Sequence, residues 1–275
     1  MNEGFKTVVE ANKRSVFNWS ELWQYKELFY FFTWRDIKIK YKQTTLGLLW
    51  VVLQPLMMML IFTFFFARAL NIPSQNLPYP VFAFSGLILW NTFSAGLTNA
   101  SNSMLNNASI IKKIYFPRII VPTSAIIAAA FDFVMAFFLF VALLVYYWQP
   151  VDLNALWCWP LAIVITLAAS LGPGCLLSAL NLKYRDFRYV IPFVIQVLFF
   201  VSPVIYPTSM VKYPLLQYGM VLSPMYSAIE LFRMPLTGAS PDMLMISISM
   251  LSTLLFVVIG LMYFKRTEDF FADFA

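Results

Sequence analysis

Six runs of apolar residues, at 46–67, 80–97, 119–147, 160–180, 190–206 and 243–264, divide the chain, with polar or charged stretches between them. Roughly 20 helical residues cross a hydrocarbon core about 30 Å thick, so the pattern predicts an all-α integral membrane protein with six transmembrane helices. The fifth run is the shortest and contains Pro192 and Pro203, which predicts a kinked or partly unwound span. Ahead of the first run, Asn18 and Glu21 have capping-box spacing, and Leu22, Tyr25, Phe29 and Phe32 follow at helical intervals. That order predicts a helix start. Lys26, Arg35, Lys38, Lys40 and Lys42 among Trp23, Tyr30 and Trp34 give this N-terminal helix the mixture of an amphipathic interface helix. It serves either as a lipid-surface anchor or as a docking surface for a cytosolic partner.

Between the fifth and sixth runs, residues 207–242 intersperse Tyr213, Tyr218, Tyr226 and Phe232 among Pro214, Pro224 and Pro235. This segment is too apolar for a free loop. Its composition predicts two short re-entrant helices split near Ser223 and Pro224, forming an outer gate with Tyr213, Tyr218, Tyr226, Glu230 and Arg233, or simply a structural cap. The resulting division is a cytosolic N-terminus over 1–45, a six-helix membrane domain over 46–264 and a short cytosolic tail over 265–275.

Charge orients the spans. Of 19 lysines and arginines, only Arg68, Lys212 and Arg233 lie outside the two ends and the second and fourth loops. Basic residues near span ends are retained in the cytoplasm, so both termini and those two loops are expected there, in a multi-pass plasma-membrane protein. The pI of 9.2 therefore needs no nucleic acid. With 61% apolar and 12% charged residues, against about 25% charged in globular domains, the bilayer is the solvent. The first 45 residues show no apolar core followed by a small-residue cleavage site, so no removable signal peptide is expected.

Several chemistries drop out. The chain has no histidine, the commonest general base and metal ligand, so neither a catalytic centre nor a metal site is expected. Cys158 and Cys175 share one predicted helix at a separation of about 25 Å, too far for a disulfide. None of the nine glycines opens a loop ending in Gly-Lys-Ser or Gly-Lys-Thr, so no cofactor is expected and nucleotide is not bound here by that route.

Polar residues inside spans line protein or water more often than lipid. In the first span Trp50, Gln54, Met57, Ile61, Phe65 and Arg68 recur every three or four positions. In the fifth, Gln196, Phe199, Pro203 and Tyr206 do the same. These two faces are the foremost candidates for a lumen. A further stripe, Tyr79, Phe82, Gly86, Trp90 and Phe93, is a channel candidate for which lipid contact and core packing are competing readings. Sugars stack their C–H faces on aromatic rings, and weak repeated stacks, each worth about 0.5–1.5 kcal/mol if comparable to an aromatic pair, guide a polymer without trapping it. Asp132 is the one acid central to a span. With no charged partner in the other spans, it is expected to bond a serine, threonine or backbone group between helices.

Three segments, RDIKIKYKQTTLGLLWVVLQP (35–55), NASIIKKIYFPRIIVP (107–122) and NLKYRDFRYVIPFVIQVLFFVSPVIYP (181–207), together with the tail at 264–274, resemble the membrane subunits of type-2 ABC exporters that move O-antigen, capsular polysaccharide or teichoic acid. The resemblance runs almost end to end, and Ser223-Pro224 departs from the Asn-Pro expected there. It implies a homodimeric channel for a lipid-linked glycan in the inner membrane, paired with a cytosolic ATPase that carries ATP and magnesium. It further implies a coupling helix with Ser109, Ile110, Ile111, Lys112, Lys113, Tyr115 and Phe116 in a cleft of the ATPase, and a second contact at the amphipathic helix leading to Arg35. Ordinary positive-inside charge is the competing account of Lys112 and Lys113. A drug or lipid exporter is the nearest alternative; a secondary transporter and a membrane-embedded glycan ligase fit less well.

Overall fold

The computed structural model describes residues 19–42, 47–70, 72–184, 186–238, 242–268 and 271. Among them the regular structure is helical throughout: α1 (Trp19–Gln24), α2 (Lys26–Lys42), α3 (Gly47–Phe62), α4 (Tyr79–Asn106), α5 (Ala108–Ile111), α6 (Ile120–Tyr146), α7 (Cys158–Lys183), α8 (Phe187–Val201), α9 (Pro214–Val221), α10 (Pro224–Thr237) and α11 (Met243–Thr267). α3 runs on as a π-helical turn over Thr63–Ala69. Five of these helices are long and apolar enough to cross a membrane, which fits an integral membrane protein; α8 is shorter. The capping-box pair lies outside what is described, Asn18 altogether and Glu21 in its side chain.

α4 is the central post. In its most apolar stretch 78% of residues are buried, against 11% in that of the first span, because α6 and α7 flank α4 while α3 stands at the edge. Small residues let the helices approach, as expected where lipid provides no hydrophobic drive to pack. Gly96 faces Ser170, Gly174 faces Ala100, and Gly172 meets Gly260 backbone to backbone, joining α7 to α11. Asn181 ties α7 to α4 by donating to the Ser101 carbonyl at 3.1 Å and to Asn102 Oδ1 at 3.1 Å. Toward the other end of the bundle, Phe137, Phe140, Trp159 and Phe232 pack ring against ring, and the Trp159 indole donates to the Phe232 carbonyl at 3.0 Å.

Proline sets the C-terminal end of α8. Ser202, which precedes Pro203, is extended at φ −83, ψ 146, as the proline ring demands, so the helix stops at Val201 and leaves irregular backbone through Tyr206. Proline also opens α9 and α10, and the Ser223 hydroxyl caps α10, the split expected at Ser223-Pro224.

A second core gathers the basic ends of the helices. Phe32, Ile111, Phe116, Leu182, Phe264 and Phe271 are buried together, so α2, the α5 loop and the ends of α7 and α11 converge. Arg118 donates its backbone N–H to Glu268 at 3.1 Å and its guanidinium to the Glu268 carbonyl. α2 is packed into the bundle. Phe32 packs on Phe116 at 5.7 Å and Tyr41 on Phe131 at 5.6 Å, so α2 runs along α6, with Tyr30 and Trp34 of α2 and Trp23 of α1 left exposed.

Candidate functional site

The α3 face expected to line a lumen is uncovered in the single chain; of the expected fifth-span face only Gln196 is exposed, and Pro203 is buried. Trp50, Gln54, Phe65 and Arg68 on the first span are exposed, as are Gln196 and Phe200 on α8, whereas Phe199 and Tyr206 are half-buried. Phe199 joins the two helices to the centre, stacking on Phe62 at 5.9 Å and meeting Trp90 edge-on at 5.4 Å. The α4 stripe falls elsewhere. Tyr79, Phe82 and Trp90 are 6%, 0% and 5% exposed, so these three pack the interior of the chain. The sequence could not separate the cases, because a stripe of aromatics has the same spacing whether it meets a neighbour helix or an open lumen.

The residues expected at the outer gate divide as well. Tyr213 and Tyr218 are exposed and Glu230 is half-buried, accepting from the Thr208 hydroxyl at 3.2 Å. Tyr226 is buried, its hydroxyl 3.5 Å from the Met245 sulfur. Arg233 is not a surface group at all: it is 1% exposed. Its guanidinium donates to Ser85 Oγ at 3.2 Å and to the carbonyls of Pro203 at 2.8 Å, Phe82 at 3.1 Å and Val204 at 2.7 Å, and it lies over the Phe82 ring at 3.7 Å. The carbonyls just after α8 have lost their helical partners where Pro203 broke the helix, and the planar fork of Arg233 supplies donors to two of them. Gly86 makes room, since a Cβ there would fall 2.6 Å from the Val204 oxygen and 2.8 Å from the guanidinium. Arg233 thus staples the end of α8 to α4.

At the basic end, Ser109, Lys112, Lys113 and Tyr115 are exposed and Ile110 is half-buried. Ile111 and Phe116 are buried in the core shared with Phe32, which corrects their expected place on a docking surface; they hold the loop in position for the exposed residues. Arg35 is half-buried, spanning Phe32 at 4.7 Å and pairing with Asp36 at 2.7 Å.

Two features escaped the reading of the sequence. Among the described residues Asp132 bonds no serine, threonine or backbone group; its carboxylate pairs with Lys40 and accepts from the Tyr41 hydroxyl. Asp132 lies near the midpoint of the 27-residue α6, so α2 carries a cation to mid-span. The second feature is a cavity of about 290 Å³ between α3, α4 and α6, lined among others by Lys40, Trp50, Gln54, Asn91, Asn99 and Asp132. Its signal was present in Asn91, Ser94, Thr98, Asn99 and Asn102, a polar stripe at helical spacing. Among the described residues, three or more His, Cys, Asp or Glu side chains nowhere gather closely enough to hold a metal ion.

Comparison with known proteins agrees with this architecture. The chain is 29% identical over 239 residues to the O-antigen export system permease protein RfbA of Klebsiella pneumoniae, covering 87% of this chain and 91% of that one. It is 29% identical over 193 residues to the protein of the same name from Myxococcus xanthus, covering 70% and 73%. It is 23% identical over 246 residues to the polysialic acid transport protein KpsM of Escherichia coli, covering 86% and 91%. Residues 27–237, from the first turn of α2 to the end of α10, match the ABC-2 type transporter family, and the chain belongs to it.

Proposed function

We propose that this chain is the channel-forming permease subunit of an ATP-driven exporter that moves a lipid-linked polysaccharide from the cytoplasmic side across the inner membrane. The observation that carries this reading is the likeness over 91% of the length of relatives named for O-antigen export and polysialic acid transport. On this reading α8 is the sixth crossing. Its 15 residues give about 22 Å of helix, and the irregular stretch through Tyr206, held by Arg233, makes up the rest. α9 and α10 re-enter the outer leaflet, and both termini face the cytoplasm with the basic loops.

A second copy packs against the uncovered α3 face and against α8, so that Trp50, Gln54, Phe65, Gln196, Phe199 and Tyr206 border a path between subunits. ATP and magnesium belong to a separate cytosolic ATPase, which grips Lys112, Lys113 and Tyr115. Because Ile111 and Phe116 lock that loop to α2 through Phe32, motion of the ATPase is delivered to the spans through packed side chains, which have little room to yield.

Charge reversal tests the coupling. Lys112→Glu with Lys113→Glu leaves the buried Ile111 and Phe116 contacts in place, so the chain is expected to reach the membrane in normal amount. Close juxtaposition of like charges at an interface costs several kcal/mol, and surface glycan is expected to fall to about a tenth or less, a loss that needs only about 1.4 kcal/mol. Quantitative glycan staining of intact cells checks this, and normal surface glycan in the double variant counts against the docking assignment.

A further inference from the structure

We infer that the cavity between α3, α4 and α6 is a binding subsite for a neutral glycosyl unit, built within one protomer between the basic ends of the spans and their midpoint; the inference rests on the exporter reading above. Four observations converge on it. Among the described residues, the side-chain amides of Gln54, Asn91 and Asn99 make no hydrogen bond, although they lie on membrane-spanning helices. An amide left unpartnered in an apolar medium is costly, so these groups serve water or a hydroxyl-rich ligand. Trp50, 56% exposed, borders the same cavity and offers a ring face for the C–H side of a sugar.

Charge then chooses between the two ends of a lipid-linked glycan. Lys40 and Asp132 are the ionisable residues on the cavity wall, and they neutralise one another as a pair. The cavity therefore carries amides, hydroxyls and an aromatic face without net charge, which suits an uncharged sugar ring and not the phosphate that joins glycan to lipid. Its volume of about 290 Å³ falls just below the range of ligand pockets, about 300 to 1,000 Å³, and admits a single ring better than an extended chain. Lys40 reaches this wall on α2, whose Phe32 rests on Phe116 beside the docking loop. One wall of the subsite is thus continuous with the end that the ATPase grips.

Photo-crosslinking tests the subsite in the full chain, expressed with its ATPase in the glycan-producing cell. p-Benzoylphenylalanine is placed at Asn99, and separately at Ser94 in case the first position disturbs folding; Phe138 on the outer face of α6 and Gln196 on α8 serve as reference positions. After irradiation the purified chain is probed for periodate-sensitive sugar. The expected result is sugar label at Asn99 or Ser94 well above that at Phe138, falling about fivefold when Asn91→Leu removes one amide at similar volume. Label at Gln196 with none above background at Asn99 and Ser94 overturns the subsite and leaves the exporter reading standing. Label insensitive to Asn91→Leu, adducts carrying labelled phosphate but no sugar, or a chain-to-chain adduct in place of a glycan adduct also overturn it. No label anywhere, with unaltered surface glycan in cells lacking the chain, brings down the exporter reading and the subsite together.

Discussion

Replacing Arg233 with methionine is expected to leave a chain that inserts but does not hold its native packing, with its thermal midpoint in mild detergent lowered by on the order of 10 °C. Methionine fills a similar apolar volume, so the loss is almost entirely that of the donors. The guanidinium now serves the carbonyls of Phe82, Pro203 and Val204 and the hydroxyl of Ser85. A buried acceptor that loses its donor costs about 1–3 kcal/mol, and the carbonyls after α8 have no helical partner to return to. Taken together the expected loss is at least about 3 kcal/mol. Arg233→Lys is expected to fall between wild type and methionine, because an ammonium keeps the charge but lacks the flat fork that spans two carbonyls and covers the Phe82 ring. Size-exclusion chromatography after a heating series reads the order directly. Equal stability of all three proteins would show that the staple contributes nothing.

The second large effect is expected from a single methyl group. In Gly260→Ala the added Cβ would collide with the Gly172 carbonyl oxygen, and in Gly172→Ala it would lie 2.5 Å from the Phe256 carbonyl carbon. Both clashes are with backbone, so no flexible side chain can move aside, and α7 and α11 must separate along their contact. Overpacking costs about 1–3 kcal/mol in cores that can adjust, and this contact belongs at the upper end. The helices are also held by α10, which packs on both, so the expected outcome is a chain destabilised by about 3 kcal/mol. Gly219→Ala in α9 is the matched comparison: a Cβ there meets nothing within 4 Å, and alanine favours helix by about 1 kcal/mol over glycine. A neutral or slightly stabilising Gly219→Ala beside a strongly destabilising Gly260→Ala, measured in the same heating series, checks the close approach. Indistinguishable behaviour of the two would contradict it.

The long apolar helices were legible in the sequence because the bilayer asks for one thing, an uninterrupted apolar run. The run at 119–147 became α6 (Ile120–Tyr146) and that at 243–264 became α11 (Met243–Thr267). α4 outran its reading, from an expected end at 97 to Asn106, for a physical reason. Ser101 and Asn102 donate to the Thr98 carbonyl and Ser103 to that of Ala100, so polar side chains ended the apolar run while satisfying themselves within the helix. Pairing over long separations was not legible. Arg233 finds its acceptors 148 and 151 positions away in α4, and Lys40 finds Asp132 across 92; nothing in either local stretch marks its partner. For the aromatics of α4, core packing and channel lining stood as competing readings. Trp50 and Phe65 face outward and Phe82 and Trp90 face inward, because burial depends on which helix stands alongside, and spacing within one helix carries no information about its neighbours.

Reconstitution tests the central claim most directly. This chain and its ATPase are placed together in proteoliposomes whose outer leaflet is loaded with the producing cell's own lipid-linked glycan, with the ATPase facing outward. Adding ATP is expected to move glycan into the lumen, where an external glycosidase no longer reaches it, and Lys112→Glu with Lys113→Glu is expected to abolish that protection. Complete digestion of the glycan with ATP present, in vesicles shown to contain the intact complex, would contradict the account.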